Sequence, residues 1–467
     1  MKNLFASFFC LTLFVSIAQA RIELPGIFTN NMVLQQKTDA PLWGKTTPGK
    51  AVKIVTSWNN REYKVLANAD GSWLIKVKTP QAGGPYSISI ADEKKIILEN
   101  ILIGEVWICS GQSNMEMPLA GWGKINCYEI EMPEADYPQI RLLHIEKTTS
   151  VQPLSDVKTK NEGWQICSPS TVAEFSAVAY FFGRNLHQHL HVPIGLINSS
   201  WGGTIAEAWT SKESLENMPY FKESLLEIQK EPESTKPNRP SVLFNAMIKP
   251  LIPYAMQGVI WYQGESNAAR PAQYRELFPL LIRDWRKQWN RTFPFYFVQI
   301  ANFKNPTVNW PELREAQLMT LNVENTGMAV TIDIGDPVDI HPKNKKDVGI
   351  RLALAARSNT YGEKINYSGP IYESYLLEQN QIRIVFKHNK GLKAKGDSML
   401  EGFEIAGSDH QFYPAKTVIE ANSVIVSCPQ VEFPVAVRYA WANNPVCNLY
   451  NEADLPASPF RTDDWKE

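Results

Sequence analysis

The chain has 467 residues, with 47 lysines and arginines against 48 aspartates and glutamates, and its formal net charge is −1. A near-neutral chain lacks the basic face that extended nucleic-acid binding needs, and it offers no polybasic patch for an anionic membrane. Hydrophobic residues make up 44% of the sequence, enough to build buried cores, so disorder and coiled coil are poor interpretations. At roughly 150 residues per domain, the length predicts two to four domains.

The first 20 residues are typical of a secretory signal peptide. Lys2 provides a basic start, residues 4–17 are mostly apolar, and residues 18–20, Ala-Gln-Ala, form a small-residue cleavage site. We therefore expect cleavage after Ala20 and a secreted or periplasmic protein. A membrane anchor is disfavoured because the apolar run is shorter than the ~20 residues of a spanning helix, and no later stretch is long enough to span a bilayer.

Five cysteines follow this leader, an odd number, so at least one thiol is expected to be free or to pair between chains. Secretion permits disulfides, but the sequence does not assign the pairs. None of the cysteines lies in a CxxC arrangement, which disfavours a zinc site. Cys109 lies within an apolar run, which predicts a buried side chain.

Three regions differ in their pattern of strands, helices and turns. In residues 21–98, short β-branched runs alternate with turns, which predicts an N-terminal β-sandwich. In residues 99–364, apolar runs alternate with amphipathic helices, which predicts a parallel sheet with helices on both faces, a three-layer α/β/α fold. In residues 365–467 the helical rhythm stops and short strands return, so we expect a β-rich C-terminal module.

Two elements of the middle region are used below. Residues 171–190 carry apolar side chains at helical spacing, which predicts one helix with Thr171 and Glu174 as its capping box. Residues 327–334 are apolar and β-branched, which predicts a strand that ends at Ile334.

The segment 111–115, Gly-Gln-Ser-Asn-Met, directly follows the apolar run 106–109. Ligands bind at the carboxyl ends of strands in open α/β sheets, so Ser113 stands where a nucleophile is expected. A serine at this place also suits the N-cap of a helix. On this segment alone, the two interpretations are equally supported.

Two further polar segments follow predicted strands. Gly202 and Gly203 come shortly after the apolar run 194–197, where a backbone N–H can point towards a developing oxyanion. In the segment 261–267, Trp-Tyr-Gln-Gly-Glu-Ser-Asn, the side-chain amide of Gln263 is another candidate oxyanion donor. Taken alone, each segment is better explained as an ordinary turn or loop.

A fourth segment, 336–342 (Asp-Pro-Val-Asp-Ile-His-Pro), follows the strand predicted to end at Ile334. His341, with Asp336 and Asp339 nearby, suits a general base steered by a carboxylate. There are two alternatives: a surface histidine, or a metal cluster formed by Asp333, Asp336, Asp339 and His341. In a parallel sheet the four segments would meet at one edge, and their order matches that of a serine hydrolase with three-layer architecture.

These segments resemble those of a known family. The segments 111–115, 261–267 and 339–342 look like those of the sialate O-acetylesterase family, which belongs to the SGNH-type hydrolases and is related to bacterial carbohydrate acetylesterases. Segments 28–34, 41–44, 437–443 and 455–461 are also similar, so the resemblance spans nearly all of the chain after the leader. It implies an SGNH-hydrolase-like core and a serine esterase that needs no metal or organic cofactor.

The resemblance implies Ser113 as the nucleophile and His341 as the base. Many SGNH enzymes have the triad acid three residues before the histidine, a position that Val338 occupies here. We favour Asp339 as the acid, with Asp336 as a supporting residue. A Ser-His pair helped by a backbone carbonyl is the alternative.

The resemblance also implies an oxyanion hole. Its donors would be the backbone N–H groups of Ser113 and of Gly202 or Gly203, together with the side chain of Gln263. Glu265 would then be a supporting residue.

These roles predict hydrolysis of an O-acetyl ester on a sugar, either a 9-O-acetyl sialate or a related acetylated glycan. We expect Asn114, beside the nucleophile, to contact the substrate, and Arg270 is a candidate partner for a sialate carboxylate. Arg270 suits a helix cap or a solvent-exposed position equally well, and acetylated xylan or another plant glycan needs no such cation. A non-catalytic sugar-binding protein is a further alternative, although binding needs no Ser-His-acid set. The sequence does not predict the oligomeric state.

Overall fold

The computed structural model describes residues 22–230, 235–305, 307–396 and 399–465. The predicted signal peptide lies outside these ranges, so cleavage after Ala20 and export stay predictions. Within them, no helix is both long and apolar enough to cross a membrane.

The N-terminal region forms two small packed sheets. One pairs β2 with β5, and the other contains β3, β4 and β6. Buried side chains from both sheets, among them Val52, Ile54, Trp73 and Val77, belong to one hydrophobic core, as expected for a β-sandwich. The strands are β1 (Val33–Gln35), β2 (Asp39–Lys45), β3 (Ala51–Thr56), β4 (Arg61–Leu66), β5 (Ser72–Lys78) and β6 (Gly83–Ala91).

The next strand, β7 (Lys95–Gly111), belongs to both the N-terminal region and the middle region. Its first residues pair antiparallel with β6, and Leu102–Gly104 pair parallel with β1. The rest of the strand lies between two strands of the central sheet. The chain therefore passes position 98, the expected domain boundary, without leaving the strand.

The central sheet is parallel apart from one edge strand. Its order is β9-β8-β10-β7-β11-β12-β13, and only the pairing of β9 with β8 is antiparallel. Its other strands are β8 (Tyr137–His144), β9 (Gln165–Cys167), β10 (Ile194–Ser200), β11 (Gly258–Tyr262), β12 (Phe295–Val298) and β13 (Thr326–Ala329).

Helices cover both faces of this sheet. The α-helices are α1 (Ser113–Glu116), α2 (Tyr128–Glu131), α3 (Pro169–Val172), α4 (Ala177–Leu190), α5 (Lys212–Leu215), α6 (Lys222–Lys230), α7 (Pro271–Trp289), α8 (Trp310–Met319) and α9 (Lys345–Asn359). Trp107 and Cys109 are buried in one core with α4 and α9, and Val106 and Ile108 are buried in the other core with α7 and α8. This alternation follows from the two-residue period of a strand, and it confirms the predicted three-layer α/β/α fold.

The predicted single helix over 171–190 is wrong, because the structure divides it into α3 and α4. Ser176 leaves helical geometry and caps α4 by accepting a hydrogen bond from the N–H of Ala179. The capping box at the start of α3 pairs Ser168 with Thr171, so Glu174 has no part in it. The Ser176 hydroxyl also donates to the carbonyl of Met115, which fixes the break against the turn that follows β7.

The C-terminal region is β-rich, as predicted, and has its own hydrophobic core. Its sheets have the orders β14-β15-β20-β19, β18-β17-β21-β23 and β16-β22. The strands are β14 (Ile371–Glu378), β15 (Gln381–Lys387), β16 (Lys393–Ala394), β17 (Phe403–Ala406), β18 (Phe412–Pro414), β19 (Lys416–Glu420), β20 (Ser423–Ser427), β21 (Ala436–Tyr439), β22 (Leu449–Tyr450) and β23 (Phe460–Arg461).

A buried arginine joins this C-terminal region to the central sheet. Arg314, on α8, is fully buried, and its guanidinium donates to the carbonyls of Ile300, Ala442 and Asn443. The side chain of Asn443 in turn accepts from the N–H of Trp310, at the start of α8. The segment 437–443, noted for its family resemblance, therefore provides one of the contacts between the two regions.

The cysteines of the described residues are all free thiols, namely Cys109, Cys127, Cys167, Cys428 and Cys447. Cys109 is fully buried in β7, as predicted, and this burial raises the pKa of its thiol well above the usual range.

Candidate active site

Ser113 stands in a tight turn between β7 and the short helix α1. Gly111 makes this turn at φ 138°, in the region that favours glycine, and a Cβ there would lie 2.1 Å from the carbonyl oxygen of Tyr262. The N–H of Gln112 donates to the same carbonyl, at 2.9 Å. The turn is therefore anchored to β11, and Ser113 follows as the first residue of the helix.

The Ser113 turn follows the strand at which the order of the sheet reverses, so that later strands are added on its other side. The chain passes from β7 to β8 and β10 on one side, and then crosses to β11, β12 and β13 on the other. Ser200 and Tyr262 are the register partners of Gly111, so β10 and β11 end beside the turn. Such a switch point opens a crevice at the carboxyl edge of an α/β sheet, where ligands bind.

His341 reaches this crevice on a long loop. The strand predicted to end at Ile334 ends at Ala329, and residues 330–344 form the loop before α9. The strand is shorter because Arg351, on α9, donates to the carbonyl of Val330 and forms a two-pronged ion pair with Asp333. These bonds turn the chain away from the sheet.

The structure brings Ser113, His341 and Asp339 together. The Oγ of Ser113 lies 3.0 Å from Nε2 of His341, within hydrogen-bond distance. Nδ1 of His341 lies 3.4 Å from Oδ1 of Asp339, and the same oxygen accepts from the backbone N–H of His341 at 2.9 Å. Asp339 thus touches both the ring and the main chain of the histidine.

Asp336 shapes the loop and makes no contact with the imidazole. Its Oδ1 accepts from the backbone N–H groups of Val338 and Asp339, at 2.8 and 3.2 Å. This is an Asx turn, which holds Asp339 in place. The side chain of Val338 is 85% exposed and points away from the site.

Behind His341 lies a buried polar cluster formed by Asn114, Glu265 and Lys345. The Asn114 amide donates to Glu265 and, at 3.0 Å, to the carbonyl of Ile340, and its oxygen accepts from Nζ of Lys345. Asn114 is only 1% exposed and its amide is occupied by these bonds, so the structure gives it a supporting position and shows no surface for the expected substrate contact. Its bonds tie the nucleophile turn to the histidine loop, and Glu265 supports it, as proposed from the resemblance.

Burial shifts the proton equilibria of this cluster. Lys345 is fully buried, and burial lowers its pKa to about 7, although Glu265 and Asp339 oppose the shift. Burial also raises the pKa of Glu265, against the effects of Asn114 and Lys345. The pKa of His341 lies below its usual value, first because of burial and then because of the Lys345 charge, with Asp339 acting in the opposite direction.

The backbone donors expected for an oxyanion lie beside Ser113. Among the described residues, the N–H of Ser113 has no hydrogen-bond partner. A Cβ built on Gly202 would lie 3.2 Å from Cβ of Ser113, so this glycine borders the nucleophile. The N–H of Gly202 donates to the carboxylate of Glu116, at 2.5 Å. Gly203 is exposed, with open space around it.

Both N–H groups of the Gln263 side-chain amide are bonded to other acceptors, which argues against its assignment as an oxyanion donor. Its amide nitrogen donates to the carbonyl of Thr204 at 3.2 Å and to the side chain of Asn267 at 2.7 Å. Its amide oxygen accepts from the hydroxyl of Tyr274 at 3.1 Å. The side chain is fully buried and fastens the loop after β11 to neighbouring elements.

Arg270 is held at the N-terminus of α7 by bonds to other side chains. Its guanidinium forms an ion pair with Glu207 at 2.8 Å and donates to Gln273. Its backbone carbonyl accepts from the N–H of Tyr274 in the first turn of the helix. The structure therefore favours the helix-cap interpretation over a partner for a substrate carboxylate.

The four residues of the alternative metal cluster do not converge. Asp333 is paired with Arg351, and Asp336 accepts from backbone N–H groups. In the described ranges, no three His, Cys, Asp or Glu side chains are arranged to hold a metal ion.

Three residues near the site were not predicted from the sequence: Glu116, Trp122 and Lys345. The Trp122 ring is 48% exposed and stands edge-on to the His341 ring, with 5.4 Å between the ring centroids. Lys345 lies four residues after the histidine, among other lysines, and nothing local marks it as buried. For Glu116, the spacing of three residues from Ser113 places it on the same side of a helical turn, which is a usable signal once the helix is known.

We predict that Gln263→Ala lowers the free energy of unfolding by about 1–3 kcal/mol, because it leaves the buried Thr204 carbonyl without a donor and removes one of the two donors to the Asn267 side-chain oxygen. Urea denaturation followed by fluorescence measures this change. Gln188→Ala, at an exposed position of α4, is the control and should stay close to wild type. Unchanged stability with a 10²-fold or larger loss of turnover, about the effect of one oxyanion donor, would restore the original assignment.

Comparisons with known proteins identify the family of this chain. A family model described as carbohydrate esterase, sialic acid-specific acetylesterase, matches residues 103–358. The sialate O-acetylesterase of Homo sapiens is 32% identical over 482 aligned residues, which cover 92% of this chain and 90% of that protein. The sialate O-acetylesterase of Mus musculus is 31% identical, with 92% of each chain covered.

A solved structure is also similar over nearly the whole chain. The crystal structure of a carbohydrate acetylesterase from Xanthomonas citri superposes with a TM-score of 0.88 at 38% identity, covering 95% of this chain and 100% of that one. The resemblance inferred from the motifs is therefore confirmed. This chain belongs to the carbohydrate esterase family of sialic acid-specific acetylesterases, and it is an esterase.

Proposed function

We propose that this esterase removes O-acetyl groups from carbohydrates, with Ser113 as the nucleophile and His341 as the general base. The observation that carries the proposal is the 3.0 Å contact between Oγ of Ser113 and Nε2 of His341 at the carboxyl edge of the sheet. The relatives named above support the substrate class, since their names describe acetylesterases of sialate or carbohydrate.

In the first half of the reaction, Nε2 of His341 takes the hydroxyl proton while Oγ of Ser113 attacks the acetyl carbonyl. The carbonyl oxygen becomes an oxyanion, and the free N–H of Ser113 lies where it can donate to that oxygen. Asp339 stabilises the imidazolium through its contact with Nδ1. His341 then returns the proton to the sugar oxygen, the ester bond breaks, and the sugar leaves as an alcohol.

In the second half, the acetyl group is an ester of Ser113 and a water molecule replaces the sugar. His341 takes a proton from this water as its oxygen attacks the acetyl carbonyl. Collapse of the second tetrahedral intermediate releases acetate, and the proton on His341 returns to Oγ of Ser113. The cycle consumes one water and one ester and yields one acetate, one proton and one free sugar hydroxyl.

The nature of the sugar is the open part of the proposal. An O-acetyl sialate is suggested by the mammalian relatives, whereas two observations favour an acetylated plant glycan. Arg270, the one cation considered for a sialate carboxylate, is neutralised by Glu207. Trp122 stands beside His341 and is exposed enough to contact an uncharged sugar ring. Acetate release from O-acetylated sialoglycoprotein and from acetylated xylan, measured side by side, distinguishes the two.

We predict that Ser113→Ala lowers acetate release from acetylated glycan by about 10³-fold or more, because the acyl-enzyme cannot form. An enzyme-coupled acetate assay measures the rate. Ser110→Ala is the matched control, since it makes the same change in β7 at a fully buried position away from the histidine, and it should keep wild-type activity. Wild-type turnover in Ser113→Ala would refute the nucleophile, and a sugar-binding role would then be the better interpretation.

We predict that kcat/KM decreases at acidic pH as His341 becomes protonated. The midpoint of this decrease should lie below about 6.5, the ordinary pKa of histidine. His341 must be neutral to act as a base, and both burial and the Lys345 charge lower its pKa. Lys345→Met removes that positive charge, so the acid limb should move to higher pH. The midpoint of the pH–rate profile measures the shift independently of any loss in turnover.

The control for this shift is Lys346→Met, which removes a neighbouring charge. Lys346 is half exposed and pairs with Glu131, so its substitution should leave the midpoint unchanged. A midpoint that stays in place in Lys345→Met, or that moves to lower pH, contradicts the electrostatic argument.

We predict that Asp339→Asn lowers kcat by about 10²-fold, whereas Asp336→Asn stays near wild type. Asparagine at 336 keeps an oxygen for the two loop N–H groups, but asparagine at 339 loses the charge that stabilises the His341 imidazolium. Steady-state kinetics on p-nitrophenyl acetate compare the two variants. A larger loss in Asp336→Asn would make Asp336 the acid, and wild-type kcat in both would favour a Ser-His pair.

A further inference from the structure

The carboxylate of Glu116 occupies one of the backbone donors beside the nucleophile. Glu116 is the last residue of α1, three positions after Ser113, and its side chain is only 13% exposed. Its Oε2 accepts from the N–H of Gly202 at 2.5 Å. Its Oε1 forms an ion pair with Nζ of Lys147 at 2.6 Å.

This contact lies next to the place of reaction. A Cβ built on Gly202 would lie 3.2 Å from Cβ of Ser113 and 3.2 Å from Oε2 of Glu116. The nucleophile, the glycine and the carboxylate therefore surround one small volume. The acceptor is a carboxylate, and a hydrogen bond to an ionised group is stronger than one between two neutral groups.

The position of this carboxylate conflicts with catalysis by Gly202. An N–H that points at a carboxylate is not free for a second acceptor, although oxyanion stabilisation needs a donor at about 2.7–3.1 Å from the new negative oxygen. A negative charge beside that oxygen would also oppose its formation, since like charges at short distance destabilise each other. Glu116 and the oxyanion therefore cannot both use Gly202.

We propose that Glu116 blocks the Gly202 donor in the free enzyme and leaves it when the acetyl carbonyl of the substrate binds. The inference rests on the proposed function, in which Ser113 attacks that carbonyl. Lys147 pairs with the carboxylate and lies 5.8 Å from the ring centroid of Trp201, the neighbour of Gly202. It can keep its pair with Glu116 after the bond to Gly202 breaks, so the carboxylate is not left without a partner.

A fixed structural role for Glu116 makes the opposite prediction. If its bond to Gly202 only holds the turn after β10 in place, its removal should loosen the oxyanion donor and slow the reaction. If instead the bond blocks the donor, its removal should make the reaction faster. The sign of the effect therefore separates the two roles.

The experiment compares Glu116→Ala and Glu116→Gln with wild type in the full chain. Two quantities are measured: kcat/KM for p-nitrophenyl acetate, and the second-order rate at which a fluorophosphonate labels Ser113. We expect both rates to rise by about threefold to tenfold in Glu116→Ala. In wild type, substrate binding has to break the hydrogen bond between Gly202 and the Glu116 carboxylate, and the variant lacks this bond. The rise should be smaller in Glu116→Gln, because its amide oxygen can still accept from Gly202.

Glu146→Ala is the charge control. It removes one negative charge next to Lys147 in sequence, and in the described part of the chain no hydrogen bond joins its side chain to Gly202. Both rates should stay at the wild-type level. A rise in Glu146→Ala equal to that in Glu116→Ala would overturn the proposal, since charge alone would then explain the effect.

The outcomes distinguish this inference from the proposed function. If wild-type Ser113 is not labelled, both are refuted. If Ser113 is labelled but the rates are unchanged or fall in Glu116→Ala, with the thermal unfolding midpoint retained, only the blocking role of Glu116 is refuted. Should Glu116→Ala fail to fold, the near-isosteric Glu116→Gln decides, because a fixed role predicts unchanged or lower rates there and a blocking role predicts higher ones.

Discussion

Main-chain pairing along strand β7 is the constraint on which the site depends. One end of the strand is bonded to the N-terminal sheet, and the other lies between β10 and β11 in the central sheet. Because Ser200 and Tyr262 are both in register with Gly111, the loops after the two flanking strands reach the Ser113 turn at the same level. A slip of one residue would turn every side chain of β7 to the opposite face of the sheet and move the Ser113 turn out of level with the two loops. The buried residues on both faces of β7 oppose such a slip.

The histidine, in contrast, has no strand to hold it. Its loop of 15 residues depends on side-chain bonds to the main chain, chiefly those of Arg351 to Val330 and of Asn114 to Ile340. Burying Lys345 behind this loop is unfavourable in itself, because a charge loses its hydration, and its low pKa reflects that. What the protein gains is a positive charge behind His341, so that the base is more often neutral and ready to accept a proton.

The sequence was sufficient to place the main elements of the site but not to orient every side chain. Ser113, Gly202 and His341 follow strands of a parallel sheet, so their meeting at one edge follows from topology alone. Gln263 and Asn114 lie in the same motifs, yet both point inwards, because the direction of an amide depends on which buried partners the surrounding helices bring. The boundary of a strand is equally hard to predict when a distant residue, here on α9, ends it.

The contacts of the C-terminal region show why the catalytic core is not a separate unit in this chain. Arg314 is buried against carbonyls that come from residues 442 and 443, and the hydroxyl of Tyr450 reaches Asp333 in the histidine loop. A catalytic core cut before residue 365 would keep a buried guanidinium with two of its acceptors missing and a histidine loop without one of its contacts. The β-rich region thus completes the packing of α8 and of the histidine loop. A change at residues 442–443 or at Tyr450 therefore alters contacts of the catalytic core, although these residues lie outside it in sequence.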